Sequence, residues 1–247
     1  EGAVFMTIRK IIVLCMSFAI VLGLCACSGE KEMKKVSDLA YDEADSINYI
    51  YIMENGKYTP FLVLTDDYNG STLLLRKEVL DENRRFNNYS AYYANSEIDL
   101  YLNEEYLKSL TEISQYIIQS KVEITSEDAL GTAGIDIEMI DRCVFLLSLY
   151  EVGISDSVNI PPEGEMLEYF RNEENRKAYY NEVPSSWWLR TPNTYYFSCP
   201  IVIGADNTIG YTNSYDQNGI RPAICVDGDM KIELKSGIVA DQMVYVF

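Results

Sequence analysis

No histidine occurs anywhere in the 247 residues. That absence removes the usual general base at neutral pH and the commonest metal ligand, and with them Ser-His-Asp, Cys-His and His-zinc chemistry. Positive charge is scarce as well: 20 Lys and Arg stand against 38 Asp and Glu, a formal charge of −18. A phosphate backbone needs a basic footprint, so the composition argues against nucleic acid as a partner. Acidity of this size also serves solubility. Tryptophan is limited to an adjacent pair, Trp187 and Trp188, while tyrosine is abundant at 20 residues. Tyrosine supplies contact area at low entropic cost with a hydroxyl that stays wet, which suits recognition.

The longest apolar run lies near the start. From Met6 the chain reads MTIRKIIVLCMSFAIVLGLCACSGE, with Arg9 and Lys10 ahead of a short apolar stretch. This is the layout of a secretory signal, too short for a comfortable membrane span. The stretch LCAC at 24–27 resembles a bacterial lipobox, which implies cleavage before Cys27 and a lipid on that residue. Residues 1–5 read as an upstream extension. The expected organisation is therefore 1–26 extension and signal, 27–46 a polar tether, and 47–247 a single domain facing outside the cytoplasm at the cell membrane. Beyond Cys27 three cysteines remain, Cys143, Cys199 and Cys225, each in an apolar run. They read as buried thiols or as a Cys199–Cys225 bridge with one thiol left over.

Two β-rich runs flank ENGK at 54–57, a hairpin signal, and STLLLR reads as a third strand. Ser96 can cap a helix with Ile98, Leu102, Tyr106 and Leu110 on one face. A second helix is expected over EISQYIIQS (112–120) and a third over EGEMLEYFRNEENRKAYY (163–180), with CVFLLSLYE (143–151) a strand turning into a helix. The last third reads as short strands separated by turn residues. Hairpin first, helices in the middle and strands last predict α+β with mainly antiparallel strands and two to four central helices.

In SSWWLRTP (185–192), strand alternation sends Trp187 and Leu189 to one face, Trp188 and Arg190 to the other. Trp187 and Arg221 are expected to be structural. Arg190 and Arg221 would need acids such as Asp206 or Asp216, since an unpaired buried charge is costly. The alternative is an aromatic and cationic ligand platform of Trp188, Arg190, Tyr195, Tyr196 and Tyr215. Asp206, Asp227 and Asp229 sit in turns that could hold calcium, yet Asp, Asn and Gly are the residues turns use anyway. No metal, cofactor or catalytic set is assigned.

The stretch SSWWLRTP followed by NGIRPAICV (218–226), with NGKYTPFLVL, YLNEEYLKSL and CVFLLSLYE, resembles an uncharacterised bacterial lipoprotein domain family. Its members carry WWLR-S/T-P and G-x-R-P-A signatures. The resemblance extends to the C-type-lectin-like superfold shared with formylglycine-generating enzymes. It implies a lipid-anchored envelope protein whose domain recognises a glycan or protein without catalysis. The alternatives are an enzyme of the formylglycine-generating type and a structural subunit of an envelope complex.

Overall fold

Two Asn-Gly pairs start the sheet. In the computed structural model, which describes residues 33–44, 48–155, 160–239 and 242–247, φ is 49° and 78° at Asn55-Gly56 and 54° and 81° at Asn69-Gly70. A two-residue hairpin turn of type I′ needs both of its central residues in this left-handed region. The turns join strand β1 (Tyr49–Glu54) to β2 (Lys57–Tyr68) and β2 to β3 (Ser71–Arg76). After the short β4 (Arg84–Arg85), Ser96 caps the helix α1 over 97–109, its hydroxyl accepting the Asp99 N–H at 3.3 Å. Ile98, Leu102 and Tyr106 form its buried face. The turns Tyr101–Tyr106 are wider than α-helical, and there the Asn103 amide donates to the Asp99 and Val144 carbonyls.

Short strands follow: β5 (Ile117–Ile118), β6 (Ser120–Thr125), β7 (Ile137–Arg142) and β8 (Val144–Phe145). After the loop residues come β9 (Ala178–Tyr180), β10 (Val183–Ser185), β11 (Trp187–Pro192), β12 (Pro200–Ile203) and β13 (Ile209–Tyr211). The chain closes with β14 (Gln217–Asn218), β15 (Ala223–Val226), β16 (Glu233–Val239) and β17 (Gln242–Val246). The main sheet runs β16-β17-β1-β2-β3-β15, with β5 and β8 both pairing with β15. Only β1 and β17 pair in parallel among its named strands. Every residue of β3, β11 and β15 is buried, as expected of strands covered on both faces. Separate small sheets, β11-β12-β13, β6-β7, β9-β10 and β4-β14, pack around this centre.

The fold is mostly β, 40% strand and 15% helical, with one 13-residue helix and a curled mixed sheet. This overturns the expected α+β, C-type-lectin-like architecture with two to four helices. The second expected helix is a single turn, Ser114–Tyr116, after which Ile117 and Ile118 pair with Val226 and Cys225. Two β-branched residues gain more from completing the sheet than from a helix. The third expected helix breaks into two 3-10 turns, Glu168–Arg171 and Glu173–Arg176. Between residues 165 and 177 only Leu167, Phe170 and Arg176 are buried, too narrow a stripe to fix an α-helix. CVFLLSLYE forms β8 and then turns without becoming helical.

The expected tether also needs correction. The folded unit begins at Lys34. A 3-10 turn, Val36–Leu39, docks with Val36 and Leu39 at 0% and 1% exposure. The Val36 N–H donates to the Met230 carbonyl at 2.9 Å, and the Ile232 N–H to the Lys34 carbonyl at 3.0 Å. The Cys27 lipidation assignment lies outside the described residues, among which no helix is long and apolar enough to cross a membrane. Leu39→Ala is expected to lower unfolding free energy by about 2–5 kcal/mol, as for other buried leucines. Denaturant titration checks this, and a free tether would show no change.

Candidate functional site

Adjacent strand residues face opposite ways, so both indoles can be buried only if the strand is covered on both sides. That is what β11 provides: Trp187, Trp188 and Arg190 are all 0% exposed. Each indole N–H finds a carbonyl, Trp187 Nε1 donating to Arg176 at 3.0 Å and Trp188 Nε1 to Arg84 at 2.8 Å. Trp188 meets Phe86 edge-on at 5.7 Å, and the Arg221 guanidinium lies 5.2 Å from the Trp187 ring.

The Arg190 guanidinium is compensated in place. It forms a two-pronged pair with Glu151, Nη1 to Oε2 at 2.6 Å and Nη2 to Oε1 at 2.9 Å. Nε donates to the Glu123 carbonyl and Nη1 to the Leu146 carbonyl, both at 2.8 Å. A second carboxylate, Glu163, stands 3.8 Å from Nε. Glu151 also accepts from the Tyr68 hydroxyl at 2.7 Å and the Ser148 N–H at 2.9 Å. Glu163 accepts from the Thr125 N–H and hydroxyl at 2.6 Å and the Thr191 hydroxyl at 2.5 Å. Burial pushes the Glu163 carboxyl above the usual range, while Arg190 and these hydrogen bonds oppose the shift. Burial likewise pushes the Tyr68 hydroxyl up, with the Glu151 charge adding to it. Gly164 lies against this cluster with φ of 78°, and a Cβ there would approach Glu151 Oε1 to 2.5 Å.

Arg221 is held differently. Its Nε donates to the Arg76 carbonyl at 3.0 Å, and burial drives its guanidinium down to about 10 against opposing help from Tyr169. Arg76 in turn pairs with Glu54, which accepts from Tyr106. Gly219 pins the same segment to β11 through its carbonyl, which accepts the Trp188 N–H at 3.0 Å.

A different set of residues reaches solvent. Tyr89, Tyr195, Tyr196, Phe197, Tyr211 and Tyr215 are between 40% and 75% exposed. Tyr89 sits 5.7 Å from Phe197 and Tyr196 5.3 Å from Tyr211, ring centre to ring centre. Three backbone segments carry them and are laced together. The Ala91 N–H donates to the Phe197 carbonyl at 2.9 Å, Asn87 to Ser214 at 2.9 Å and Ser214 to Ser198 at 2.8 Å.

The comparison with known families turns on the region from the β2–β3 turn to just past β15. Residues 69–228, more than half of the chain, match the family described as Domain of unknown function (DUF6273). The chain belongs to that family. No curated protein and no solved structure matches it. The matched DUF6273 region contains Arg190, Glu151, Glu163, Arg221 and the three aromatic segments, while β1, β2, β16 and β17 lie outside it.

The platform read from the sequence thus divides in two. Tyr195, Tyr196 and Tyr215 are on the surface; Trp188 and Arg190 are in the interior and belong to no surface platform. Tyr89, Phe197 and Tyr211 complete the exposed group. Tyrosine abundance does not tell which rings face out, because that depends on tertiary packing. The arginine partners also differ from expectation. Asp206 accepts from Thr208, and Asp216 from Thr212 and the Asn213 N–H, whereas Glu151 and Glu163 serve Arg190. Cys143, Cys199 and Cys225 are free thiols, so no Cys199–Cys225 bridge forms. Burial pushes all three up, Cys225 to about 12. Among the described residues no group of three or more potential ligands is placed to hold a metal.

Two outcomes are expected. Arg190→Leu should cost about 3–5 kcal/mol in a denaturant titration, because Glu151 stays buried without its cation. Glu163, raised in the folded state, binds its proton more tightly there than in the unfolded chain. Its contribution therefore favours folding at low pH and is lost as pH rises from the ordinary glutamate range, about 4.3, through its raised value. Glu163→Gln should remove that decline, read as a wild-type minus variant stability difference that falls with pH.

Proposed function

We propose that this protein is a non-enzymatic recognition module at the bacterial cell envelope, carried on the membrane by a lipid on Cys27. The aromatic surface is its contact face for a glycan or protein outside the fold. The observation that carries this reading is the clustering of six exposed rings on backbone segments already fixed to one another. Exposed aromatic patches are unusual on free-standing proteins and mark contact sites. Rings held in place lose little further freedom on binding, which leaves more of the contact energy as affinity.

The thiols favour this reading over a cysteine-based oxidase. A reactive cysteine needs a lowered pKa and access to substrate, and Cys225 is buried and shifted the opposite way. At neutral pH a thiol reagent is expected to modify Cys225 only when the protein unfolds; fast labelling of Cys225 itself in the folded protein, located by peptide mapping, would reopen the enzymatic reading. The anchor is testable separately. Cys27→Ser should abolish incorporation of labelled palmitate and shift the protein from the membrane to the soluble fraction. Palmitate incorporation that persists in Cys27→Ser would rule out Cys27 as the lipid attachment site.

A further inference from the structure

We infer that the ligand of the aromatic surface is an uncharged oligosaccharide, an inference that rests on the recognition reading above. The observation behind it is a gap in the charge pattern. Charged residues make up 23% of the chain, yet residues 86–96, 191–205 and 207–215 contain none. These are the three segments that carry Tyr89, Tyr195, Tyr196, Phe197, Tyr211 and Tyr215. Asp206 and Asp216, which border the third segment, have carboxylates engaged by neighbouring Thr208 and by Thr212 with Asn213.

The neutral surface sits on a chain of charge −18. An anionic ligand, whether a sulfated glycan, a nucleic acid or an acidic lipid surface, meets net repulsion and finds no cation within the patch. A cationic ligand finds no carboxylate within the three segments, and the bordering Glu138, Asp206 and Asp216 are each engaged by a neighbouring hydroxyl, of Tyr92, Thr208 and Thr212. Protein partners are usually steered and selected by complementary charge, which these segments do not offer. A sugar ring fits what is present. Its C–H face lies against the negative face of an aromatic ring, and its hydroxyls take hydrogen bonds from groups that both donate and accept. Tyr196 and Tyr211 supply the paired rings, and Asn88 is exposed beside Tyr89.

The test uses the full chain against immobilised neutral hexose and N-acetylhexosamine oligosaccharides and their sulfated and carboxylated counterparts. The expected result is binding to neutral members only, unchanged between about 0.05 and about 0.5 M salt. Tyr196→Ala and Tyr211→Ala should each weaken it about tenfold or more. Tyr180→Ala, at an exposed ring on β9, should leave it intact. Binding restricted to charged glycans, or affinity that falls steeply with salt, overturns the inference. A protein partner cross-linked to wild type and lost on Tyr196→Ala, with no glycan bound, overturns it too but leaves the recognition reading standing. No ligand of either kind removes both.

Discussion

A guanidinium cut off from water must be compensated where it stands, and the structure around Arg190 is organised by that requirement. An ion of this size loses far more hydration on burial than one neutral hydrogen bond returns. The compensation here comes from six groups: Glu151 and the Leu146 carbonyl, Glu163, the Glu123 carbonyl on β6, and Tyr68 and Thr125 behind the two carboxylates. None of these groups can shift without leaving another buried charge or donor short of a partner. One residue on β11 thereby fixes the relative positions of β2, β6, the turn after β8 and the loop at Gly164.

Other arginines repeat the pattern at the edges of the core. Arg76 pairs with Glu54 under the Tyr106 hydroxyl, and Arg142 with the nearly fully buried Asp99 at the start of α1. Together these pairs fasten the helix at two points to the sheet regions it covers. Arg221 is the exception, held by a carbonyl, a tyrosine and the face of Trp187 rather than by a carboxylate. Its lowered pKa follows from that poorer compensation. A chain with few cations has thus placed several of them inside, where they serve geometry and are withdrawn from the surface.

How legible this was in the sequence depended on the range of the interaction. The Asn55-Gly56 hairpin and the Ser96 cap are decided within four residues, and both were readable. The buried state of Trp188 was not, because alternation gives the side of a strand and not what covers it; here Phe86 and the Arg84 carbonyl do. Glu151 and Glu163 gave no local signal, since they lie far from Arg190 in sequence and a lone glutamate in CVFLLSLYE or EGEMLEYF looks like an ordinary polar residue. The missing helices failed for a related reason. Residues 112–120 have helical-looking composition, but their isoleucines are claimed by β15. The sequence Val36–Leu39 looked like tether until its two apolar residues found the core. Three of the six exposed rings, Tyr195, Tyr196 and Tyr215, were among the residues singled out.

The interior cluster and the exposed rings are separate in chemistry but continuous in the chain. β11 ends at Thr191-Pro192, where Thr191 accepts the Leu149 N–H and donates to Glu163. The next residue opens the loop that carries Tyr195, Tyr196 and Phe197. That loop is closed at its base, the Asn193 N–H donating to the Cys199 carbonyl at 2.8 Å and Pro192 lying opposite Pro200. The buried ion pair therefore sets the root of the aromatic loop without reaching the exposed rings themselves. A ring can be presented to solvent at a fixed angle only if its backbone has somewhere immobile to start from, and the strand bearing Arg190 is that start.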